Sequence, residues 1–168
     1  DDVGHLLMMP GRACYEPVIQ LFGEWIVKDD TSLNREAIAS IVFEDGEMLK
    51  KLDDIIHPAV KKYILKEIEK SKKEETEFFF IESALLLEEK YDEICDEMWY
   101  IYCEKEVRME RLRHDRGYSD EKIQRMMANQ LPDEEFEARC DFQLYNDEDV
   151  AHTYLQIERK MRTYYEFM

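Results

Sequence analysis

The texture of the chain changes near residue 77, and this change constrains the fold more than any other feature of the sequence. Upstream, apolar residues recur at helical spacing. Pro17-Val18-Ile19-Gln20-Leu21-Phe22 runs on to Trp25 and Ile26 with Gly23 as an interruption, and Asp29-Asp30-Thr31-Ser32 reads as a loop. Asn34 suits the N-cap of a helix carrying Ala37, Ile38, Ile41 and Val42, and Asp45-Gly46 ends it. A short helix with Met48, Leu49, Leu52, Ile55 and Ile56 comes after it. Pro58 is expected in the first turn of the next helix, because its missing N–H costs nothing there. That helix is expected to run to about Lys73 with Val60, Tyr63, Ile64 and Ile68 on one face. Its Lys61, Lys62, Lys66 and Lys70 alternate with Glu67 and Glu69 and read as a solvated face.

Downstream, short apolar runs with strong strand propensity take over. These are Phe78-Phe79-Phe80-Ile81, Met98 to Cys103, and Cys140 to Tyr145, with Leu85-Leu86-Leu87 after the first. Helical segments separate them: one around Val107 to Arg113, one capped by Ser119, a short one opened by Pro132, and a final amphipathic one from Asp147–Asp149. Strands separated by helices need crossovers and so imply a parallel sheet. The fold expected from the residues is therefore α/β, layered, with a helical insertion ahead of the later strands.

Charge narrows the function. With 40 acidic and 23 basic residues the formal net charge is −17, which argues against nonspecific nucleic-acid binding. A local arginine cluster still overrides that field at contact range. Hydrophobic residues make up 45% of the chain, too many for a disordered one. No apolar run is long enough for a transmembrane helix, and there is neither a signal-peptide pattern nor an initiator Met. Cys14, Cys95, Cys103 and Cys140 lie scattered, as do His5, His57, His114 and His152. Such spacing suggests reduced thiols in a cytoplasmic protein and no His/Cys metal site.

Six of the ten arginines fall between residues 108 and 139: Arg108, Arg111, Arg113, Arg116, Arg125 and Arg139. Arginine is preferred where phosphates are gripped by a rigid donor fork, and a basic helix-turn-helix after a parallel strand suits a phosphoryl-transfer lid. Ten acidic residues lie between Glu104 and Glu137, so a salt-bridged surface helix is the other reading.

In this setting the chain resembles the dephospho-CoA kinases. Asp1-Asp2-Val3-Gly4-His5 with Pro10-Gly11 is similar to the stretch after that family's second strand. Leu21-Phe22-Gly23, Asn34-Arg35, Ile41-Val42-Phe43 and Ile56-His57-Pro58-Ala59-Val60 come in the family's order, and Leu85-Leu86-Leu87-Glu88 resembles a strand end. Arg111-Leu112, Arg116-Gly117-Tyr118-Ser119, Ala128-Asn129-Gln130, Cys140-Asp141 and Asn146 resemble the lid and the segments after it.

The resemblance implies a three-layer P-loop kinase-type parallel sheet with a helical CoA-domain insertion and an Arg-rich lid. It places the start of the core after the second strand at 1–11, the helical substrate domain at 12–76, the α/β core at 77–104 and 140–168, and the lid with its following helices at 105–139. It implies transfer of the ATP γ-phosphoryl to the ribose 3′-hydroxyl of dephospho-CoA, with Mg²⁺. Asp1 would act as base, and Arg111 and Arg116 would neutralise the transferring phosphates. Gln130 and Asn146, with Arg111, would face the nucleotide, and His5, Arg35 and His57 the acceptor. His57, just before a proline, also reads as a helix cap, and His5 and Gln130 also read as ordinary packed or surface residues.

Several positions depart from the family pattern. The GxxxxGK[ST] loop occurs nowhere in the chain; the resemblance puts it upstream of Asp1, in a segment of roughly 30 residues expected to precede this sequence. The lid reads Asp115-Arg116 where many members read Arg-Asp, Ala84 replaces a proline, and Phe136 stands where many members have lysine. Two other readings remain: a non-catalytic CoA- or nucleotide-binding relative, and another small-molecule kinase of the same fold. The His57-Pro58 helical insertion argues against the last.

Overall fold

The computed structural model describes residues 2–166. They form two compact units, one up to Ala84 and one from Leu85.

The first unit is helical. α1 (Asp2–Leu7) is followed by α2 (Tyr15–Phe22), which ends where Gly23 takes φ 96° and donates its N–H to Ile19 O at 2.7 Å. A side chain at that φ would be strained, and its Cβ would also meet the Trp25 ring at 3.1 Å. One 3₁₀ turn (Glu24–Ile26) and an antiparallel bridge between Val27 and Leu33 carry the chain around the Asp29–Ser32 loop. There Asp30 Oδ1 accepts from the Ser32 N–H and hydroxyl. α3 (Arg35–Glu44) begins where Asn34 Oδ1 accepts the Ala37 N–H, as the sequence predicts.

α4 (Gly46–Lys73) starts at once, capped by Asp45. The break expected at Pro58 is absent: one helix of 28 residues runs through it. The proline removes one backbone bond. Leu52, Ile55 and Ile56 before it, and Ala59, Val60 and Tyr63 after it, all pack on the same cluster, so burial on both sides keeps the helix continuous. His57 therefore lies inside a helix and caps nothing. The cluster itself is built from Leu7, Val18, Phe22, Ile26, Leu33, Ile38 and Leu52 with Cys14 and Tyr15, and Val18 and Ile26 are wholly buried.

The second unit carries the sheet. β1 (Trp99–Tyr102) pairs in parallel with β2 (Phe142–Tyr145), Trp99 opposite Phe142 and Tyr102 opposite Tyr145. The crossover between them holds α5 (Lys105–Arg116), α6 (Asp120–Ala128) and α7 (Asp133–Arg139), and α8 (Val150–Tyr165) follows β2. Ser119 and Asp149 cap α6 and α8 from their side chains. The parallel α/β expectation is met. The run Phe78–Ile81 corrects it in part, because no strand forms there among the described residues. Strand propensity becomes a strand only where a neighbour completes the ladder. In this sheet β1 and β2 pair with each other alone.

Candidate active site

In the first unit, the sequence-predicted acceptor residues come from three helices. His5 on α1 and Arg35 on α3 meet, the guanidinium Nη2 against the imidazole Nε2. Partial burial and then the Arg35 charge hold the His5 pKa below its ordinary value, so the ring is neutral and Nε2 can accept. A Cβ on the buried Gly4 would lie 3.6 Å from Ile56 Cγ2. α1 and α4 therefore cross at this point, and His5 and His57, each the next residue along, flank the crossing. His57 Nε2 lies 3.5 Å from Asp53 Oδ1 one turn earlier in α4.

An open groove of about 730 Å³ runs along α4 past Pro58, Lys61, Lys62, Leu65 and Lys66. It is framed by the aliphatic stems of lysines on one helix and brings none of the predicted site residues together.

In the second unit, the arginine cluster divides by what each side chain touches. Arg113 Nε donates to Asp120 Oδ1 at 2.5 Å, tying α5 to α6. Arg139 Nη2 donates to Asp92 Oδ2 at 2.6 Å and to Leu87 O. This bond, the largest of several causes, holds the Asp92 pKa below its usual range. Arg108 Nη2 lies 3.9 Å from Asp133 Oδ2. For these three the salt-bridged reading holds.

Arg111 is different. Its Nη1 donates to Asn146 O, and its Nη2 to Asp147 O at 3.3 Å and Glu148 O at 3.0 Å. Among the described residues its partners are carbonyl oxygens and the Cys103 sulfur, with no ion pair to a carboxylate. Arg116 ends α5, exposed, just before Gly117 turns the chain at φ 64°.

The structure thus joins two predicted residues, Arg111 and Asn146, at the C-terminal end of β2. Asn146 donates its N–H to Tyr102 O at 2.8 Å, and its Oδ1 accepts from Thr153 Oγ1 at 3.4 Å. This is the end of a parallel sheet at which ligands bind in α/β folds. Gln130 is not brought to that pair: it lies exposed just beyond α6, its N–H donated to Met127 O at 3.2 Å. Asp1 lies outside the described residues. The four cysteines are free thiols, and burial pushes the pKa of each upward.

Reasoning from the residues missed a second set. Phe136 lays its ring on Tyr100 with centroids 4.9 Å apart and planes 13° apart. Tyr100 in turn donates to Asp133 at 2.6 Å.

Comparisons with known proteins bear on the lineage of the chain and on its fold. The family model for dephospho-CoA kinase matches residues 1–152. The chain is 34% identical over 159 residues to the dephospho-CoA kinase of Aquifex aeolicus, spanning 95% of this chain and 80% of that protein. It is 31% identical over 162 residues to that of Symbiobacterium thermophilum, spanning 96% and 68%. Among solved structures, a Thermus thermophilus protein superposes with a TM-score of 0.75 at 24% identity, over 97% of this chain and 81% of that one. The dephospho-CoA kinase from Campylobacter jejuni gives 0.70 at 21% identity, over 96% and 81%. These last two show a shared fold. The family match over most of the chain decides the lineage: the chain belongs to the dephospho-CoA kinase family and is a kinase.

Proposed function

We propose that the protein carrying this chain transfers the ATP γ-phosphoryl to the ribose 3′-hydroxyl of dephospho-CoA, giving CoA and ADP. The 3′-oxygen forms the new bond to phosphorus, the bridging oxygen leaves with ADP, and the hydroxyl proton passes to a carboxylate, for which Asp1 is the candidate. Arg111 neutralises charge on the transferring phosphates beside Asn146, with Arg116 at the end of α5 and Gln130 beyond α6 as further candidates for the nucleotide side. His5, Arg35 and His57 take the acceptor side, where a neutral imidazole and a guanidinium suit a phosphorylated ribose.

In this reading residues 105–139 form the lid of a three-layer P-loop-type kinase, 12–76 form the acceptor domain, and 1–11, 77–104 and 140–168 belong to the core. Mg²⁺ in such enzymes is held chiefly by the substrate phosphates. Among the described residues no group of three or more His, Cys, Asp or Glu side chains is placed to hold a metal ion.

The observation that carries the reading is Arg111, held by three carbonyl oxygens and, among the described residues, in no ion pair with a carboxylate. ADP release by the native protein should be fast with dephospho-CoA and absent with AMP or pantetheine phosphate as acceptor. Arg111→Ala should lower turnover about tenfold or more, with KM for dephospho-CoA little changed, because the contact strengthens in the transition state. Unchanged turnover would remove Arg111 from the site.

A further inference from the structure

One carboxylate joins three elements of the second unit. Asp133, the first residue of α7, accepts a 2.6 Å hydrogen bond from the Tyr100 hydroxyl of β1 through Oδ1. Its Oδ2 faces Arg108 Nη2 of α5 at 3.9 Å. Tyr100 is buried, and the Phe136 ring, three residues after Asp133 in α7, closes over it. Burial first, and then the Asp133 carboxylate, push the Tyr100 pKa far upward, so the phenol remains a donor at all working pH values. Arg108 Nε is buried with no hydrogen-bond partner among the described residues. The Asp133 carboxylate is the anion that faces this guanidinium among the described residues. Nor is Asp133 consumed as a cap, since the N-cap position of α7 is Pro132.

The consequence lies three residues along α5. Arg108 and Arg111 are neighbours on one helix face. Arg111 is bound to the carbonyls of residues 146–148, and Arg108 faces Asp133. A helix held at one point can roll about its axis, whereas one held at two points a turn apart cannot. The Arg113–Asp120 bridge then carries α6 along with α5.

We propose that Asp133 is a positioning residue for phosphoryl transfer: by tethering Arg108 to Tyr100 of β1, it fixes the roll of α5 and so the place where Arg111 and Arg116 meet the nucleotide. This rests on the kinase reading above for its kinetic consequence, though not for the tether itself.

The experiment uses the native protein with Asp133→Ala, Asp133→Asn, Arg108→Ala and the Asp133→Ala/Arg108→Ala pair. Asp133→Ala should lower kcat about tenfold and raise KM for ATP several-fold while leaving KM for dephospho-CoA within about twofold, a split that general destabilisation does not produce. Arg108→Ala should do much the same, and the pair should be little worse than either alone, because both break one tether. Asp133→Asn retains an acceptor for Tyr100 without the charge for Arg108, and should fall between wild type and Asp133→Ala.

Amide hydrogen exchange over residues 105–139 should accelerate in each variant, and this readout needs no activity. Unchanged exchange would overturn the tether, even in a protein that proved inactive on dephospho-CoA. Strictly additive effects in the pair, or equal changes in both KM values, would overturn the positioning role. If Asp133→Ala does not fold, Asp133→Asn and Tyr100→Phe separate the charge from the hydrogen bond, and normal kinetics and exchange in both would end the proposal.

Discussion

The two units are stabilised by different physics. The first is held by apolar burial: nine buried side chains from its helices and the loops between them form one contiguous cluster. The second buries less and is laced by polar side chains that reach backbone groups far away in sequence. Asp141 Oδ2 accepts the Met98 N–H, Gln156 pairs with both the N–H and the carbonyl of Tyr145, and Arg111 gathers the carbonyls after β2. Glu97 accepts from Trp99 Nε1 at 2.9 Å, Lys160 Nζ at 2.7 Å and Tyr164 OH at 2.6 Å, which secures α8 to the start of β1. Apolar packing tolerates small displacements only at the cost of cavities. Hydrogen bonds are directional and depend on the protonation state of their partners. Under the proposed function, a unit that recognises phosphates through arginines gains geometric precision from the second kind.

The chain holds two tryptophans, Trp25 in the first unit and Trp99 in the second, so each unit has its own fluorescent reporter. The largest stability effect should come from Ile26→Ala, where a wholly buried side chain leaves a cavity costing about 2–5 kcal/mol. Denaturant unfolding followed at Trp25 should report it, and a loss under about 1 kcal/mol would show that the cluster repacks freely.

Next comes Glu97→Ala, which removes three acceptor contacts, one of them to an ammonium, and should cost about 1.5–3 kcal/mol, with a change in Trp99 emission that Ile26→Ala does not produce.

Acid should separate the units further. Burial opposes ionisation of Glu97, but donation by Lys160, Tyr164 and Trp99 outweighs it and leaves its pKa below the ordinary glutamate value. A depressed carboxyl contributes stability that is complete above its unfolded pKa and disappears as pH falls through the folded value. The transition at Trp99 should therefore weaken below about pH 4.3, the ordinary glutamate value, and Glu97→Gln should flatten that dependence while leaving the neutral-pH emission of Trp25 alone. An equal acid response in the variant would assign the effect to other carboxylates.

The smallest effect belongs to a cap. Asn34→Ala should cost about 1 kcal/mol, seen at Trp25, because one orphan N–H of α3 loses its acceptor. A null result there would mean that water replaces the amide.

Much of the chain was legible residue by residue. The caps at Asn34, Ser119 and Asp149, the loop at Asp29–Ser32 and the stop at Gly23 come from local chemistry, because caps and turns act over only a few residues; the parallel pairing of the two aromatic runs was legible from the helices that separate them. Arg111 beside Asn146 was legible only through resemblance, since no periodicity links positions 35 residues apart. The continuity of α4 through Pro58 was not legible, because it is decided by apolar contacts on both sides of the proline. Nor was the fate of Phe78–Ile81, because a strand needs a partner that propensity does not supply. Local chemistry alone thus dictates most of the helices, the strand-forming runs and the stretch where cations concentrate. Which arginines are consumed in ion pairs, and which are not, is a matter of packing in three dimensions: it depends on which carboxylates come within a few ångströms, and distance along the chain does not encode this.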